Sequence, residues 1–160
     1  MLRNRNLVPL SRQHQHALAL CVRINRDLHC GAEVGIAAWR AEINLQFEQE
    51  IIFHFAAEEK RLFPAAARFL ELRPIVEGLI TEHAALRDLF AQAGAGTLDL
   101  AGLETFIDQL ARHIRKEERE LFEGMQKLMT PEELNALGAA LDREMAASTQ
   151  ACLLQRPAEK

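Results

Sequence analysis

A ten-residue motif occurs twice in the chain, as HFAAEEKRLF at residues 54–63 and as HIRKEERELF at residues 113–122. The two copies share one His, two adjacent Glu, one Leu and one Phe in the same register. Because an α-helix turns once in about 3.6 residues, a His and a Glu four positions apart lie on one face of it. The repeat therefore predicts two equivalent helices, each of which presents a His and a Glu on the same face.

Apolar residues recur at spacings of three and four through most of the chain, which is the period of a half-buried helix. We expect helices at about 9–29, 35–70, 74–93 and 99–129, and a fifth at about 131–149 with a frayed tail after it. The sequence Thr-Pro-Glu-Glu at 130–133 is typical of a capped helix start, whereas Pro64 should kink the second helix or end it early.

Four helices joined by short loops predict an all-α fold, an antiparallel up-down-up-down four-helix bundle with an additional C-terminal helix. We expect residues 1–160 to form a single domain, with the bundle at about 8–129. The fifth helix has an apolar stripe that should either cap the bundle or pair with a second subunit in a homodimer. The stripe consists of Leu134, Leu137, Leu141 and Met145.

Histidine interrupts the apolar stripe of every main helix, and in two of them a Glu follows it one turn later. A polar residue at a core position is unusual unless it has a function. The interrupting residues are His14 in the first helix, His54 and Glu58 in the second, His83 in the third, and His113 and Glu117 in the fourth.

These six residues should lie at one level of the bundle. In antiparallel neighbours, residues equidistant from the connecting turn are at the same height, and the midpoint of His14 and His54 is residue 34, inside the turn expected at 30–35. The midpoint of His83 and His113 is residue 98, inside the turn expected at 94–99. The midpoint of Glu58 and His83 falls between residues 70 and 71, at the turn between them.

A single His in a core is more often held by hydrogen bonds than by a metal, and a single His–Glu pair is more often a surface ion pair. Each of two buried carboxylates would destabilise the fold by several kcal/mol if its charge were not compensated. A metal ion supplies the compensating positive charge. Imidazole with carboxylate suits iron best, with manganese behind it, and zinc fits less well because no Cys lies at this level. Two bridging Glu favour two iron ions with an oxo or hydroxo bridge, which leaves two positions for a small ligand.

The arrangement of His14, His54 with Glu58, His83, and His113 with Glu117 resembles the hemerythrin-like family, or HHE cation-binding domain. The resemblance covers about residues 8–129 and implies a four-helix bundle around an oxo-bridged non-haem di-iron site. Members variously carry or sense oxygen, handle nitric oxide, store or sense iron, or repair iron–sulfur clusters. The chain is most similar to the subgroup with four His and two Glu.

Two positions depart from the oxygen-carrying members. Those proteins have a further His one turn after the third-helix ligand, where this chain has Arg87, and their last carboxylate corresponds to Glu118. The repeat and the helical face favour Glu117 instead. We expect Glu118 and Glu59 to be solvated or to lie outside the ligands, and Glu50 to orient the ring of His54.

Composition narrows the function further. The formal net charge of −4 argues against nucleic-acid binding, and no apolar stretch is long enough for a membrane span. The N-terminus does not read as a secretory signal, and three Cys without C-x-x-C spacing indicate reduced thiols, so we expect a cytoplasmic protein. The leading hypothesis is a di-iron protein that takes up O₂, NO or a related small molecule. The alternatives are a di-iron oxidoreductase or a repair-type enzyme, and a bundle in which the metal only stabilises the fold.

Overall fold

The computed structural model describes residues 2–30 and 35–155, with side chains as far as residue 146. Its described part contains five helices and no strand, so the predicted all-α class is confirmed. The helices are α1 (Val8–His29), α2 (36–66), α3 (Arg73–Gly94), α4 (100–128) and α5 (Pro131–Gln155). Residues 31–34, which include most of the turn expected between α1 and α2, lie outside the described residues.

Two of the long helices contain π-helical segments. In α2 these are Phe47–Ile51 and Glu58–Leu62, between the α-helical parts Ile36–Gln46, Ile52–Ala57 and Phe63–Ala66. In α4 the segment is Glu117–Leu121, between Leu100–Lys116 and Phe122–Leu128. Two of the three segments therefore begin at the equivalent Glu of the repeated motif.

The helix starts follow local sequence signals. The Asp99 carboxylate accepts a hydrogen bond from the Gly102 backbone N–H at 2.7 Å, which caps α4. At the start of α5, the Glu133 carboxylate accepts from the Thr130 N–H at 2.9 Å and the Thr130 hydroxyl accepts from the Glu133 N–H at 3.2 Å. This is the reciprocal capping box that the sequence predicts.

Two helix ends differ from expectation. α2 ends at Ala66 rather than near Leu70, two residues after Pro64. The last helix continues to Gln155 rather than fraying after Thr149. An equivalent π segment occurs in α4, where no proline follows, so Pro64 does not account for the π geometry.

The core consists of two apolar clusters, one on each side of the histidine level. The first includes Leu10, Phe63 and Leu79, and the second includes Phe55 and Phe90. α5 belongs to the first cluster, in which Leu134, Leu137 and Leu141 are buried. The apolar stripe of α5 therefore covers the bundle of its own chain, while a homodimer remains a prediction.

α5 lies along the part of α2 that carries the first motif copy. The Glu144 carboxylate accepts from Lys60 at 2.7 Å and from Arg61 at 3.1 Å. Gly138 allows a close approach to the N-terminal segment, because a Cβ there would come within 2.5 Å of the Asn6 side chain. Helix α5 therefore covers only one side of the histidine level.

Candidate metal centre

The six residues singled out in the sequence converge in the interior of the bundle. Each is at most 4% exposed, and no other polar residue is buried among the side chains that the structure describes. They are His14, His54, Glu58, His83, His113 and Glu117. A set of two carboxylates and four imidazoles in an apolar core needs a compensating charge.

The repeated π segments place the two carboxylates. Glu58 and Glu117 each begin such a segment, and each carbonyl accepts the N–H of the Phe five positions later, Phe63 or Phe122. A π turn admits one more residue than an α turn and often occurs at functional sites. As a result the Glu and the Leu-Phe pair that ends each motif copy all point into the core.

Each carboxylate contacts histidines of different helices. The Glu58 oxygens lie 3.0 Å from Nε2 of His54 and 3.3 Å from Nε2 of His83. One oxygen of Glu117 lies 3.0 Å from Nε2 of His14 and 3.5 Å from Nε2 of His113. The inner nitrogen of all four histidines is therefore directed at a carboxylate.

The ligand atoms form two overlapping groups, within each of which all atoms lie within 4.8 Å of one another. One group combines His14 and His54 with both glutamates, and the other combines His83 and His113 with the same glutamates. Both glutamates therefore belong to each of the two groups, and each carboxylate has two oxygens to contribute.

Nε2 of His14 and Nε2 of His54 lie 3.0 Å apart, but six other polar atoms of the cluster lack hydrogen-bond partners. Both oxygens of Glu58, both oxygens of Glu117 and Nε2 of His83 and His113 are buried without a contact of hydrogen-bond geometry. Buried polar groups in native proteins are almost always satisfied, and an unpaired one costs about 1–3 kcal/mol, more for a charge. Metal cations at the two groups would use these same lone pairs, so the donor set fits a dinuclear centre.

The outer nitrogen of every histidine in the cluster has an acceptor. These contacts from Nδ1 are to Glu118 for His14 (2.7 Å), Gln13 for His54 (2.8 Å), Glu59 for His83 (2.8 Å) and Glu82 for His113 (2.9 Å). A neutral imidazole that donates from Nδ1 has an unprotonated Nε2, here aimed inward, which is the form a metal requires.

Three of the four acceptors are carboxylates that a cation also contacts. Arg3 pairs with Glu118, Arg87 with Glu59 and Lys116 with Glu82. The three cations help to lower the pKa of these carboxylates and so keep them ionised. Burial would raise the pKa of Glu82, but hydrogen bonds from His113 and Lys116 lower it to about 2.

The inner carboxylates raise the pKa of two of the imidazoles, those of His14 and His113. Burial lowers the pKa of His14, but its close contact with Glu117, its hydrogen bond to Glu118 and the charges of Glu117 and Glu58 outweigh burial and raise the pKa to about 10. Complete burial would raise the pKa of Glu58, but the charges and close contacts of His54 and His83 hold it well below its usual range. A metal ion would replace the protons on these imidazoles.

The positions flagged as departures lie outside the cluster. Arg87 donates to Glu59 at 2.8 Å and lies 5.3 Å from the centre of the Phe55 ring, so it supports His83 indirectly. Glu118 is 24% exposed and accepts from His14, whereas Glu117 is fully buried among the imidazoles. The geometry therefore favours Glu117 over Glu118 as the candidate ligand.

The expected role of Glu50 is wrong. Its carboxylate pairs with the exposed His16 at 3.0 Å, and the partner of His54 is Gln13 of α1. Sequence reasoning missed Gln13 and Glu82. Gln13 directly precedes His14, and Glu82 directly precedes His83. A comparison of the two halves of the repeat could have identified this shared position.

A small cavity of about 10 Å³ adjoins the cluster. Its lining consists of His14, His54 and His113 together with Ala17, Ile51, Phe55, Leu110 and Ile114. This is about the space that one water molecule needs, and the wall opposite the histidines is apolar. The space beside the cluster therefore suits a ligand of very few atoms.

Antiparallel helices around a buried cluster of four His and two Glu define a metal-binding four-helix bundle. The family model described as Hemerythrin HHE cation binding domain matches residues 7–124, which is more than half of the chain. The chain therefore belongs to this family. No curated protein and no solved structure gave a significant match. Among the described residues, no helix is both long and apolar enough to span a membrane.

Proposed function

We propose that the protein is a non-haem di-iron protein whose centre binds or reacts with dioxygen or a related small molecule such as nitric oxide. The observation that carries this proposal is the pair of ligand groups that share both glutamates. Carboxylate and imidazole together suit iron, while manganese and zinc fit less well. Its role would be sensing, iron handling, or protection against oxidative or nitrosative stress.

The residues divide the work of holding such a centre. Glu58 and Glu117 would bridge the two ions, and each ion would take two imidazoles. Bound iron supplies one-electron redox chemistry and coordination positions that the protein leaves open. Phe55 lies against the His83 ring at a centroid distance of 3.7 Å, and Phe122 stacks on His14 at 5.6 Å, so aromatic packing fixes two of the ligand rings.

The small cavity supports a diatomic ligand. Its apolar wall of Ala17, Ile51 and Leu110 excludes solvent from one side of the centre and offers no hydrogen-bond partner to a larger polar substrate. A molecule of two atoms is near the limit of what about 10 Å³ admits without movement of the walls.

A cytoplasmic location is part of the proposal. Cys21 and Cys30 are free thiols, which is the usual state of cysteine in a reducing compartment.

An anaerobic titration with Fe(II), followed by exposure to oxygen, tests the proposal. We expect close to two irons per chain, and new optical absorption when oxygen enters, because six candidate ligands surround two positions. Elemental analysis that finds one zinc and no affinity for iron would overturn it. Iron that binds but shows no response to oxygen or nitric oxide would favour a metal that only stabilises the bundle.

A further inference from the structure

The hydrogen bonds around the cluster follow an approximate two-fold symmetry that exchanges α1 with α3 and α2 with α4. The contact of His14 with Glu118 corresponds to that of His83 with Glu59, since each acceptor directly follows the Glu of its motif copy. The contact of His54 with an acceptor on α1 likewise corresponds to that of His113 with one on α3. The four contacts from Nδ1 therefore form two pairs, and the members of each pair occupy equivalent positions in the two halves of the bundle.

In one of these pairs the two acceptors differ in chemical type. The acceptor for His113 is the carboxylate of Glu82, whereas the acceptor for His54 is the neutral amide of Gln13. The cation that contacts Glu82 is Lys116, three residues after His113, and the equivalent residue of the first copy is Ala57. The carboxylate and its cation are thus absent together from one half.

The packing of the bundle accounts for this difference. Ala57 is fully buried in the apolar cluster to which α5 contributes, and an ammonium group there would be desolvated. On the other side, Glu82 and Lys116 line an open groove of about 550 Å³ between α3 and α4, where an ion pair is accessible to water. α5 has no counterpart on that side, so the chain itself makes the two halves unequal.

We propose that Gln13 and Glu82 make the two metal positions unequal, so that the position of His83 and His113 binds its ion more tightly than the position of His14 and His54. This inference rests on the proposed di-metal centre. A carboxylate accepts the Nδ1 proton more strongly than an amide does, and this raises the basicity of the inner nitrogen toward the metal. The position of His83 and His113 has two such carboxylates as acceptors, and the position of His14 and His54 has one carboxylate and one amide.

The size of the effect can be set from the chemistry. Changes to such outer hydrogen bonds typically alter metal affinity by about 10–100-fold, and we take about 10-fold because Gln13 still accepts the bond. For two independent positions that share one equivalent of metal, the ratio of occupancies is the square root of the affinity ratio. We therefore expect about 3:1 in favour of the His83 and His113 position, and more if the first ion weakens binding of the second.

The test is the distribution of one equivalent of Fe(II) per chain, added anaerobically and measured by anomalous scattering at the iron edge in crystals of the full chain. The double variant Gln13→Glu with Glu82→Gln exchanges the two acceptors and should reverse the ratio. Gln13→Glu alone should bring it close to 1:1. Gln15→Glu is the matched control, because it adds the same charge at an exposed position two residues away and should leave the wild-type ratio unchanged.

The outcomes separate this inference from the proposed function. Saturation with excess Fe(II) to two ions per chain supports the di-metal centre whatever the ratio. Equal occupancy in the wild type, or an unequal ratio that the double variant leaves unchanged, would overturn the roles of Gln13 and Glu82 while the di-metal centre stands. Saturation at one ion or none would overturn both. Melting curves of the metal-free variants identify any that fail to fold, and the remaining single variant then decides the ratio.

Discussion

Replacing Glu58 with Gln should abolish the stabilisation of the fold by metal. Glu58 belongs to both ligand groups, so its loss removes one ligand from each of the two positions. The amide keeps the size of the side chain but loses the charge and most of the capacity to bridge. We expect Glu58→Gln to bind metal weakly or not at all, and to melt at the same temperature with and without Fe(II).

The magnitude follows from linkage between binding and folding. A free metal concentration of about 100 times Kd adds about 2.7 kcal/mol for each site that only the folded chain provides, or about 5 kcal/mol for two. In a chain of this size 1 kcal/mol shifts the melting temperature by about 2–4 °C, so the wild type should gain about 10–20 °C. Glu58→Gln should lose this entire gain.

The assay is thermal unfolding followed by circular dichroism, performed anaerobically with Fe(II) and again with a chelator. Glu120→Gln is the control, since Glu120 is exposed and belongs to neither ligand group. The reasoning is refuted if wild-type protein gains no stability from iron, or if Glu58→Gln gains as much as the wild type does.

Three further predictions concern reactivity, pH and the fifth helix. Arginine cannot serve as an iron ligand, so Arg87 would leave open the coordination position that an oxygen carrier fills with histidine. Stopped-flow mixing with oxygen should therefore oxidise the di-ferrous protein rapidly. A long-lived complex that releases oxygen intact would contradict this. Because the pKa of His14 is raised to about 10, its proton must leave when Fe(II) binds. Calorimetry should show the affinity for Fe(II) rising by up to about tenfold per pH unit between pH 7 and 9, as expected for the release of one proton. An affinity for Fe(II) that does not depend on pH would count against His14 as a ligand. Leu141→Ala should lower the free energy of unfolding in urea by about 2–5 kcal/mol, whereas Leu70→Ala, at a side chain 70% exposed, should change it little. Sedimentation that finds a monomer at high concentration would leave α5 with the capping role alone.

The alternative enzymatic functions would leave different traces in the same experiments. An oxidoreductase or a repair-type enzyme needs electrons to return the iron to the ferrous state after each turnover. Rapid oxidation by oxygen, followed by reduction with a physiological donor, would favour such an enzyme over a sensor. A di-ferrous centre that oxidises once and then stays oxidised would favour sensing or iron handling.

The helices and the level of the candidate site could be predicted from the sequence. Apolar spacing defines the buried face of each helix, and the fixed rise per residue converts distance from a turn into height along the bundle. That arithmetic brought His14, His54, His83 and His113 to one level without any tertiary information. The capping box at Thr130 was equally predictable, because both of its hydrogen bonds join residues three apart in the chain.

The groups that contact Nδ1 of the histidines, by contrast, depend on how the helices pack against one another. Glu50 lies one turn before His54 in the sequence, but in the packed bundle Glu50 contacts His16 and the partner of His54 is Gln13 of α1. Periodicity records which face of a helix is buried but not how two faces are rotated against each other. The same limit applies to α5, whose stripe was readable from the sequence although its choice of surface was not. Where a side chain's partner lies on another helix, packing of the whole bundle sets the contact.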